Sequence, residues 1–202
     1  MRRRSVMALA ERCQYDEDHA RHTADLALQL FDATKARHAL PDEARALLEY
    51  AALLHDIGHH ISYPGHHKHT YYLIKNGDLR GFDPAEIEVL ANVARYHRRG
   101  HPRKKHPGFG GLPREARRTV QMLAGLLRVA DALDRSHKQT VRRVLVSERA
   151  DVLRIQAEAR GDCELELWGV GGRTALLEEM LGRRIRVEAG TVASPRRALL
   201  RA

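Results

Sequence analysis

The 202-residue chain is poor in cysteine and in aromatic residues. Its two cysteines, Cys13 and Cys163, form no Cys-x-x-Cys pair, which excludes a disulfide-rich scaffold and a cysteine-based zinc ribbon. Phe, Trp and Tyr together make up 5% of the residues, and no aromatic stacking motif is visible. Because single-stranded RNA is recognised largely by stacking on aromatic side chains, this composition argues against an RNA-binding protein.

The sequence also lacks long apolar runs. None approaches the ~20 residues that a helix needs to cross a bilayer, and the opening MRRR is not followed by the apolar core of a signal peptide. We therefore expect neither membrane insertion nor export, and the unpaired cysteines fit a reducing cytoplasm. With 43% hydrophobic and 30% charged residues, the composition is that of a folded globular protein of one or two domains.

Positive charge is what the chain has in excess. Its 35 Lys and Arg residues against 26 Asp and Glu residues give a net charge of +9. Such a charge attracts polyanions, for example nucleotides or polyphosphate. Arginine far outnumbers lysine, however, and a genomic composition bias explains that excess as well as a ligand does.

Apolar residues at spacings of three and four predict helices over most of the first 135 residues. The predicted helices cover residues 17–37, 41–57, 67–76, 84–97 and 113–135. Asp16 is expected to cap the first of them and Gly58 to end the second. The basic stretch 98–113 is rich in Gly and Pro and is predicted to be a loop.

After about residue 140 the pattern changes to short strands and one more helix. We predict strands at 144–146 and 152–155, a helix over about 164–181 and a closing strand at 185–187. Glycines inside the predicted helix weaken it, since each costs roughly 1 kcal/mol relative to alanine. The fold class is therefore mostly α with a small C-terminal α+β appendix, divided as 1–140, 141–190 and a flexible tail at 191–202.

Histidine is unusually clustered: nine of the 13 histidines lie between His55 and His106. Among them, His55-Asp56 comes at the end of an apolar helix, with His55 on the predicted buried face. An imidazole next to a carboxylate makes a mixed N/O site that suits Mn, Fe, Co, Ni or Mg. A carboxylate can also bridge two metals through its two oxygens.

Two further residues face the predicted core. Asp131 lies on the apolar stripe of helix 113–135, and His19 shares a face with leucines of helix 17–37. A buried carboxylate is costly unless it is paired or bound to metal. Taken singly, each residue is more often a structural one, but together with His55-Asp56 they favour a metal site.

The order His, His-Asp, Asp over about 110 residues resembles the HD domain, a superfamily of metal-dependent phosphohydrolases. The resemblance is more specific to the C-terminal HD-type region of exopolyphosphatase/guanosine pentaphosphate phosphohydrolases and covers about residues 1–190. The segments that carry it are MRRRSVMALAERCQYDEDHARHTADLALQLFD, YAALLHDIGHHISYPGHHKHTYYLI, GFDPAEIEVLANVARYHRRGHP and LLRVADALDRSH. It implies an HD-domain helical bundle.

The resemblance also implies a set of metal ligands. One divalent metal would be held by His19, His55, Asp56 and Asp131, with His22 as the alternative to His19. The extra histidines His69 and His97 resemble those that build a second metal site in dinuclear members. One or two divalent ions per chain are therefore expected.

Catalytic roles follow from the same resemblance. Asp56 would bridge the metals or orient the attacking hydroxide. Many HD enzymes have a lysine shortly after the His-Asp pair, where this chain has His59. Lys68 or Arg98, with Arg135, would then supply the cation that faces the phosphate.

The sequence thus predicts a stand-alone HD-type phosphohydrolase that acts on a nucleotide or another phosphate ester. The alternative is a non-catalytic module that binds polyphosphate or guanosine polyphosphates. Relatives carry their polyphosphate chemistry on actin-like N-terminal domains, for which this chain has no room, so exopolyphosphatase activity is not inferred. The resemblance alone suggests a homodimer, and the initial methionine favours a complete chain over an excised domain.

Overall fold

Eight α-helices and a three-stranded sheet make up the computed structural model, which describes residues 1–190. The tail predicted at 191–202 lies outside the described residues. The helices are α1 Arg2–Arg12, α2 Glu17–His38, α3 Asp42–Leu54, α4 His66–Lys75, α5 Pro84–Arg95, α6 Arg114–Ala132, α7 Glu164–Val170 and α8 Ala175–Leu181. The strands are β1 Val141–Arg149, β2 Val152–Ala159 and β3 Arg184–Gly190. The mostly helical fold with a small C-terminal sheet is confirmed.

The first helix, α1, was not predicted. Its buried residues Val6, Leu9 and Ala10 follow the three- and four-residue spacing of an amphipathic helix, and α1 packs against α3. The next helix, α2, begins where the sequence predicts. The side chain of Asp16 caps it by accepting a hydrogen bond from the backbone N–H of His19 at 3.2 Å.

The prediction that α3 runs to residue 57 and stops at Gly58 was wrong. The helix ends at Leu54, and a short 3₁₀ helix, Ile57–His60, follows. Gly58 instead allows α4 to approach, because a Cβ at this position would lie 2.6 Å from the backbone nitrogen of Thr70. The Thr70 hydroxyl accepts from Gly58 N at 3.0 Å and donates to the carbonyl of His55 at 2.9 Å. These bonds fix α4 against the His55-Asp56 turn.

Helix α5 ends two residues, and helix α6 three residues, before the predicted boundary. The predicted loop 98–113 contains no helix or strand. The buried side chain of Arg128 on α6 ties this loop down. Its Nε donates to the carbonyl of Tyr96 at 2.7 Å, and its Nη2 donates to those of Arg99 and Gly100 at 2.9 and 2.7 Å. The start of the basic loop is therefore held against the helix that carries Asp131.

In the C-terminal part, β1 pairs antiparallel with β2, and β2 pairs parallel with β3. The single helix predicted over 164–181 is wrong: it is two helices, α7 and α8, separated at Gly171 and Gly172. Glycine weakens a helix interior, and the helix is interrupted at these two glycines. Helix α8 packs closely on α6, since a Cβ on Gly125 would lie 3.1 Å from Leu177 Cα.

Buried apolar side chains from α1 through α8 and from β1 and β2 belong to a single hydrophobic cluster. The first strand begins at residue 141, close to the change of sequence pattern noted after about residue 140. Over the described part of the chain, no helix has the length and apolar character that crossing a membrane requires.

Candidate metal centre

Five of the six residues predicted as metal ligands lie together at one end of the helices. His19 comes from the first turn of α2, His55 and Asp56 follow α3, His97 follows α5, and Asp131 lies in the last turn of α6. All three histidines are fully or almost fully buried. Four separate helices therefore deliver polar side chains to one point.

The first group consists of His19, His55, Asp56 and Asp131. The Nε2 atoms of His19 and His55 lie 3.5 and 3.6 Å from Oδ1 of Asp131. His55 Nε2 also lies 3.6 Å from Oδ2 of Asp56. One ligand atom each from His19, His55 and Asp56 fits within a span of 4.8 Å. His22, the alternative to His19, points elsewhere, with its Nε2 2.7 Å from the carbonyl of Val141.

The second group consists of Asp56, His66 and His97. Nε2 of His66 lies 3.1 Å, and Nε2 of His97 3.4 Å, from Oδ1 of Asp56. His69, which the sequence assigns here, belongs to neither group. The buried face of α4 carries His66, Thr70 and Ile74, spaced by four, and His69 lies off this face, half-buried.

Asp56 is the residue that the two groups share. Its Oδ2 lies toward the first group, and its Oδ1 toward the second. Because each oxygen faces a different set of imidazoles, the carboxylate has the arrangement that a bridging ligand between two cations needs.

Each of the four histidines is oriented in the same way, with Nδ1 at an oxygen acceptor and Nε2 toward the carboxylates. His19 Nδ1 lies 2.8 Å from Asp134 Oδ2, and His55 Nδ1 lies 2.7 Å from the carbonyl oxygen of Ala52. His66 Nδ1 lies 3.1 Å from the carbonyl oxygen of Tyr63, and His97 Nδ1 lies 2.6 Å from that of Ala94. Such partners fix the tautomer and ring orientation of metal-binding histidines. Asp134 is itself held by the backbone N–H of Gln139 at 2.7 Å.

Several of the inward-facing atoms lack a hydrogen-bond partner within residues 1–190. Nε2 of His19, Nε2 of His55 and Oδ1 of Asp56 are all buried and unpartnered. In addition, Nε2 of His66 and Nε2 of His97 lie 3.4 Å apart, although both rings direct Nδ1 at carbonyls. Unpartnered buried polar atoms are costly. A divalent cation would satisfy them, so the residues present fit a metal with N and O ligands.

The electrostatics of the group without a cation follow from this packing. Burial alone would lower the pKa of His19, but the neighbouring carboxylates of Asp131 and Asp134 raise that pKa to about 10. Burial would raise the pKa of Asp131, but the adjacent imidazoles of His19 and His55 hold it well below its usual range. The pKa of His97 falls to about 3, mainly through burial. A proton on His19 thus offsets the Asp131 charge in the absence of a cation.

The two groups open into a cavity of about 300 Å³, here called the central cavity. Its walls include His59, Tyr63 and Leu165, and the ring of His137, which stacks on His19 at 3.7 Å between centroids. Asp56 and Asp131 form part of its floor, with side chains about one-fifth exposed. A small ligand can therefore reach the carboxylates.

Three arginines line the central cavity: Arg98, Arg135 and Arg173. Nη1 of Arg98 lies 3.4 Å from Nε2 of His66, and in the described region none of the three has a carboxylate within salt-bridge distance. Lys68, the other predicted phosphate-facing cation, is exposed and is not among the lining residues. The sequence missed Arg173, because a turn between two helices brings it here and no local pattern marks it.

Comparison with known proteins gives two results. Residues 1–168 match the family described as Ppx/GppA phosphatase, domain III. Several similar proteins carry the name guanosine-5'-triphosphate,3'-diphosphate pyrophosphatase. The one from Pseudoalteromonas translucida is 30% identical over 162 residues, which is 78% of this chain and 31% of that protein.

The relative from Aliivibrio fischeri is 29% identical over 161 residues, covering 77% of this chain and 30% of that protein. The relative from Aeromonas hydrophila is 37% identical over 91 residues, covering 45% and 18%. The chain therefore spans less than a third of the length of these relatives.

Proposed function

We propose, from the premise that the chain belongs to the Ppx/GppA phosphatase domain III family, that it is an HD-type metal-dependent phosphohydrolase. Its substrate would be a nucleotide or another phosphate ester. One observation carries the proposal: four buried imidazoles with fixed Nδ1 atoms direct Nε2 at two carboxylates, on the floor of a cavity lined by arginines. The names of the relatives, which describe a nucleotide pyrophosphatase, agree with this class of substrate.

Two divalent cations are proposed. His19, His55, Asp56 and Asp131 would hold one, and Asp56, His66 and His97 would hold the other. Metals bound in such sites lower the pKa of a bound water and attract phosphoryl oxygens. This assignment replaces His69 with His66, since His66 is the histidine of α4 that reaches Asp56.

The phosphate would bind through the arginines. Arg98, Arg135 and Arg173 line the central cavity and present guanidinium donors that match phosphate oxygens. The buried carboxylates Asp56 and Asp131 would repel a phosphate by themselves. Cations held by these carboxylates, together with the arginines, would reverse the sign of the local field.

The protein's own residues also control orientation and access. Asp134 holds the ring of His19, and the stacked ring of His137 covers it from the cavity side. The Nδ1 atom of His137 pairs with Asp16 Oδ2 at 2.9 Å, which fixes this covering ring. The His137 ring therefore shields His19 on its stacked face.

A hydrolysis assay on the full chain tests the proposal. Protein stripped of metal and reloaded with Mn, Fe, Co, Ni or Mg is assayed for phosphate release from GTP and simple phosphate esters. Asp56→Ala should lose activity by more than the ~10–100-fold that follows removal of an outer partner of a metal ligand. The exposed His60 provides the matched control, and His60→Ala should retain full activity. Full activity in Asp56→Ala would refute the proposal.

A pair of cation variants assigns the phosphate contact. Arg98→Ala should raise KM or lower kcat by at least about tenfold, because a hydrogen bond to a charged group is lost. Lys68→Ala should change neither, since Lys68 is exposed and lies outside the cavity lining. A loss of activity in Lys68→Ala but not in Arg98→Ala would assign the phosphate contact to Lys68 instead.

The second candidate function is a non-catalytic module that binds polyphosphate or guanosine polyphosphates. The net charge of +9 and the basic loop 98–113 beside the cavity favour it. Binding would then weaken steeply with salt, need no metal and persist in Asp56→Ala. Such binding without phosphate release from any ester would replace the enzymatic proposal.

A further inference from the structure

The side chain of Trp168 is not part of the hydrophobic core, so core packing does not explain its presence. It is the single tryptophan of the chain, and it is 73% exposed. Leu165, one turn earlier on α7, is 49% exposed. Large apolar side chains exposed next to one another mark binding surfaces more often than isolated ones do. We call these two side chains the α7 rim.

The α7 rim adjoins the central cavity. Leu165 lines the cavity directly. Arg135 lines it too, and its guanidinium carbon lies 5.4 Å from the centroid of the Trp168 ring. Gly169 permits this approach, because a Cβ there would lie 2.7 Å from Cδ of Arg135. The indole of Trp168 and the guanidinium of Arg135 are therefore in contact at the edge of the central cavity.

The contact with the indole leaves the hydrogen-bond donors of Arg135 unused. A cation–π contact depends on the charge of the guanidinium and involves no N–H···acceptor bond, so its N–H groups stay available as donors. Arg135 has no carboxylate partner among the described residues, so these donors are free for an anion in the cavity. Most of the indole surface remains open to solvent beside them.

We propose that the α7 rim binds the planar base of a nucleotide while its phosphates occupy the central cavity among Arg98, Arg135 and Arg173. This inference rests on the proposed function, which places a phosphate in that cavity. A ligand that matches both surfaces needs an anionic end and a flat, largely apolar end a short distance away, and a nucleotide has both. Stacking is tolerant of base identity, so GTP and ATP should both bind.

The single tryptophan provides the test. Protein purified without chelators is mixed rapidly with GTP or with inorganic triphosphate, which has the same number of phosphates and no base. Fluorescence is excited at the red edge of the tryptophan band, where nucleotides do not absorb, and is read before turnover. GTP should quench Trp168 and bind on the order of tenfold more tightly than triphosphate, as expected for one stacked base. Triphosphate should bind with little quenching.

Variants separate the base from the phosphates. By calorimetry, Trp168→Ala should bring the affinity for GTP down about tenfold, close to that for triphosphate, and Trp168→Phe should restore most of the preference. Arg135→Ala should weaken both ligands and leave their ratio near the wild-type value. The quantity that decides is this ratio, because a purely structural effect of Trp168 on Arg135 would change both affinities together.

Three outcomes would overturn the inference: equal affinities of the wild-type protein for GTP and triphosphate, an equal loss of both in Trp168→Ala, or a change of oligomeric state in Trp168→Ala with GTP affinity intact. Failure of the proposed function is a different result, namely no phosphate release from any ester by metal-loaded protein. Since binding is read before turnover, a GTP preference that depends on Trp168 would still establish the base site in that case.

Discussion

Two kinds of buried histidine stand in contrast in this molecule. His38, at the end of α2, is completely buried, and both ring nitrogens are satisfied: Nε2 donates to the carbonyl of Phe31, and Nδ1 accepts from the backbone N–H of Leu40, each at 3.0 Å. His19 and His55 are as deeply buried, yet among residues 1–190 only their Nδ1 atoms have a hydrogen-bond partner. Burial alone therefore does not identify a candidate ligand, whereas an unpartnered inward nitrogen does.

The protonation states of these two kinds of histidine also differ. Burial lowers the pKa of His38, which has no carboxylate within salt-bridge distance in the described part of the chain, so this ring is neutral at pH 7 in the folded protein. His19 lies between Asp131 and Asp134, and its pKa is raised to about 10. The core histidine stabilises the fold as a neutral group, and the site histidine holds a positive charge that a metal can replace.

The largest expected effect concerns Asp56, the carboxylate shared by both groups. Saturating metal should stabilise wild-type protein, by about 2.7 kcal/mol for each site at 100 times Kd. Asp56→Ala should fold and show none of this stabilisation, because both groups lose a ligand. Thermal unfolding with and without Mn measures it. The exposed Asp18, next to His19, supplies the control variant Asp18→Ala, which should respond like wild type. If Mn stabilised Asp56→Ala as much as wild type, the contrast between metal-binding and structural histidines would be wrong.

The choice between two histidines of α4 comes next. His66→Ala should reduce the metal bound from two ions per chain to one, since His66 Nε2 faces Asp56 Oδ1. His69→Ala should leave both, because His69 belongs to neither group. Competitive titration with a metal-binding dye gives the stoichiometry. The opposite result would favour the sequence-based assignment of His69.

Removing the orienting partner of His19 should have a smaller effect. Asp134→Ala should weaken the first metal by ~10–100-fold without abolishing binding, because the imidazole loses the acceptor that fixes its ring. Asp134→Asn, which retains an acceptor oxygen, should fall between this variant and wild type. Isothermal titration measures the three affinities, and equal values would show that His19 needs no such partner.

The affinity for metal should also depend on pH. A metal at Nε2 of His19 must displace a proton held with a pKa of about 10. The apparent affinity should therefore rise with pH from about 6 to about 9, by up to about tenfold per pH unit for one released proton. Titrations across this range measure the slope. An affinity that falls as pH rises would contradict the assigned ligand.

The smallest expected effect belongs to the satisfied histidine. His38→Ala should cost about 1–3 kcal/mol of stability, because it leaves the Leu40 N–H without its acceptor and removes one donor to the Phe31 carbonyl, and it should leave metal binding unchanged. The folded pKa of His38 is depressed, so the unfolded chain binds more protons below its ordinary value near 6.5. The cost of the substitution, measured by urea unfolding, should thus be larger at about pH 7.5 than at about pH 5.

Much of the fold could be predicted from local patterns. The span of α2 and its Asp16 cap follow from periodicity and capping chemistry, and the β1–β2 hairpin follows from two apolar runs around a turn. The break between α7 and α8 could not be placed. Gly171 and Gly172 weaken a helix in any context, and only the packing of α8 on α6 decides that the chain turns there.

Some residues of the site could also be predicted from the sequence and others could not. His55-Asp56 and Asp131 stand out in the sequence because a carboxylate on an apolar face is costly. The choice of His66 over His69 could have been made from the face shared with Thr70 and Ile74, although four neighbouring residues with three histidines obscure it. Arg173 has no such signal, since its place depends on how the C-terminal part packs against α6.

The most direct test of the central claim is the metal content of the chain. Protein grown with Mn and Fe and purified without chelators is analysed by plasma mass spectrometry beside Asp56→Ala. The two groups of ligands, with Asp56 as their shared carboxylate, predict two transition-metal ions per wild-type chain and none in the variant. Equal metal content in the two proteins, or none in wild type after soaking with Mn, would contradict the account.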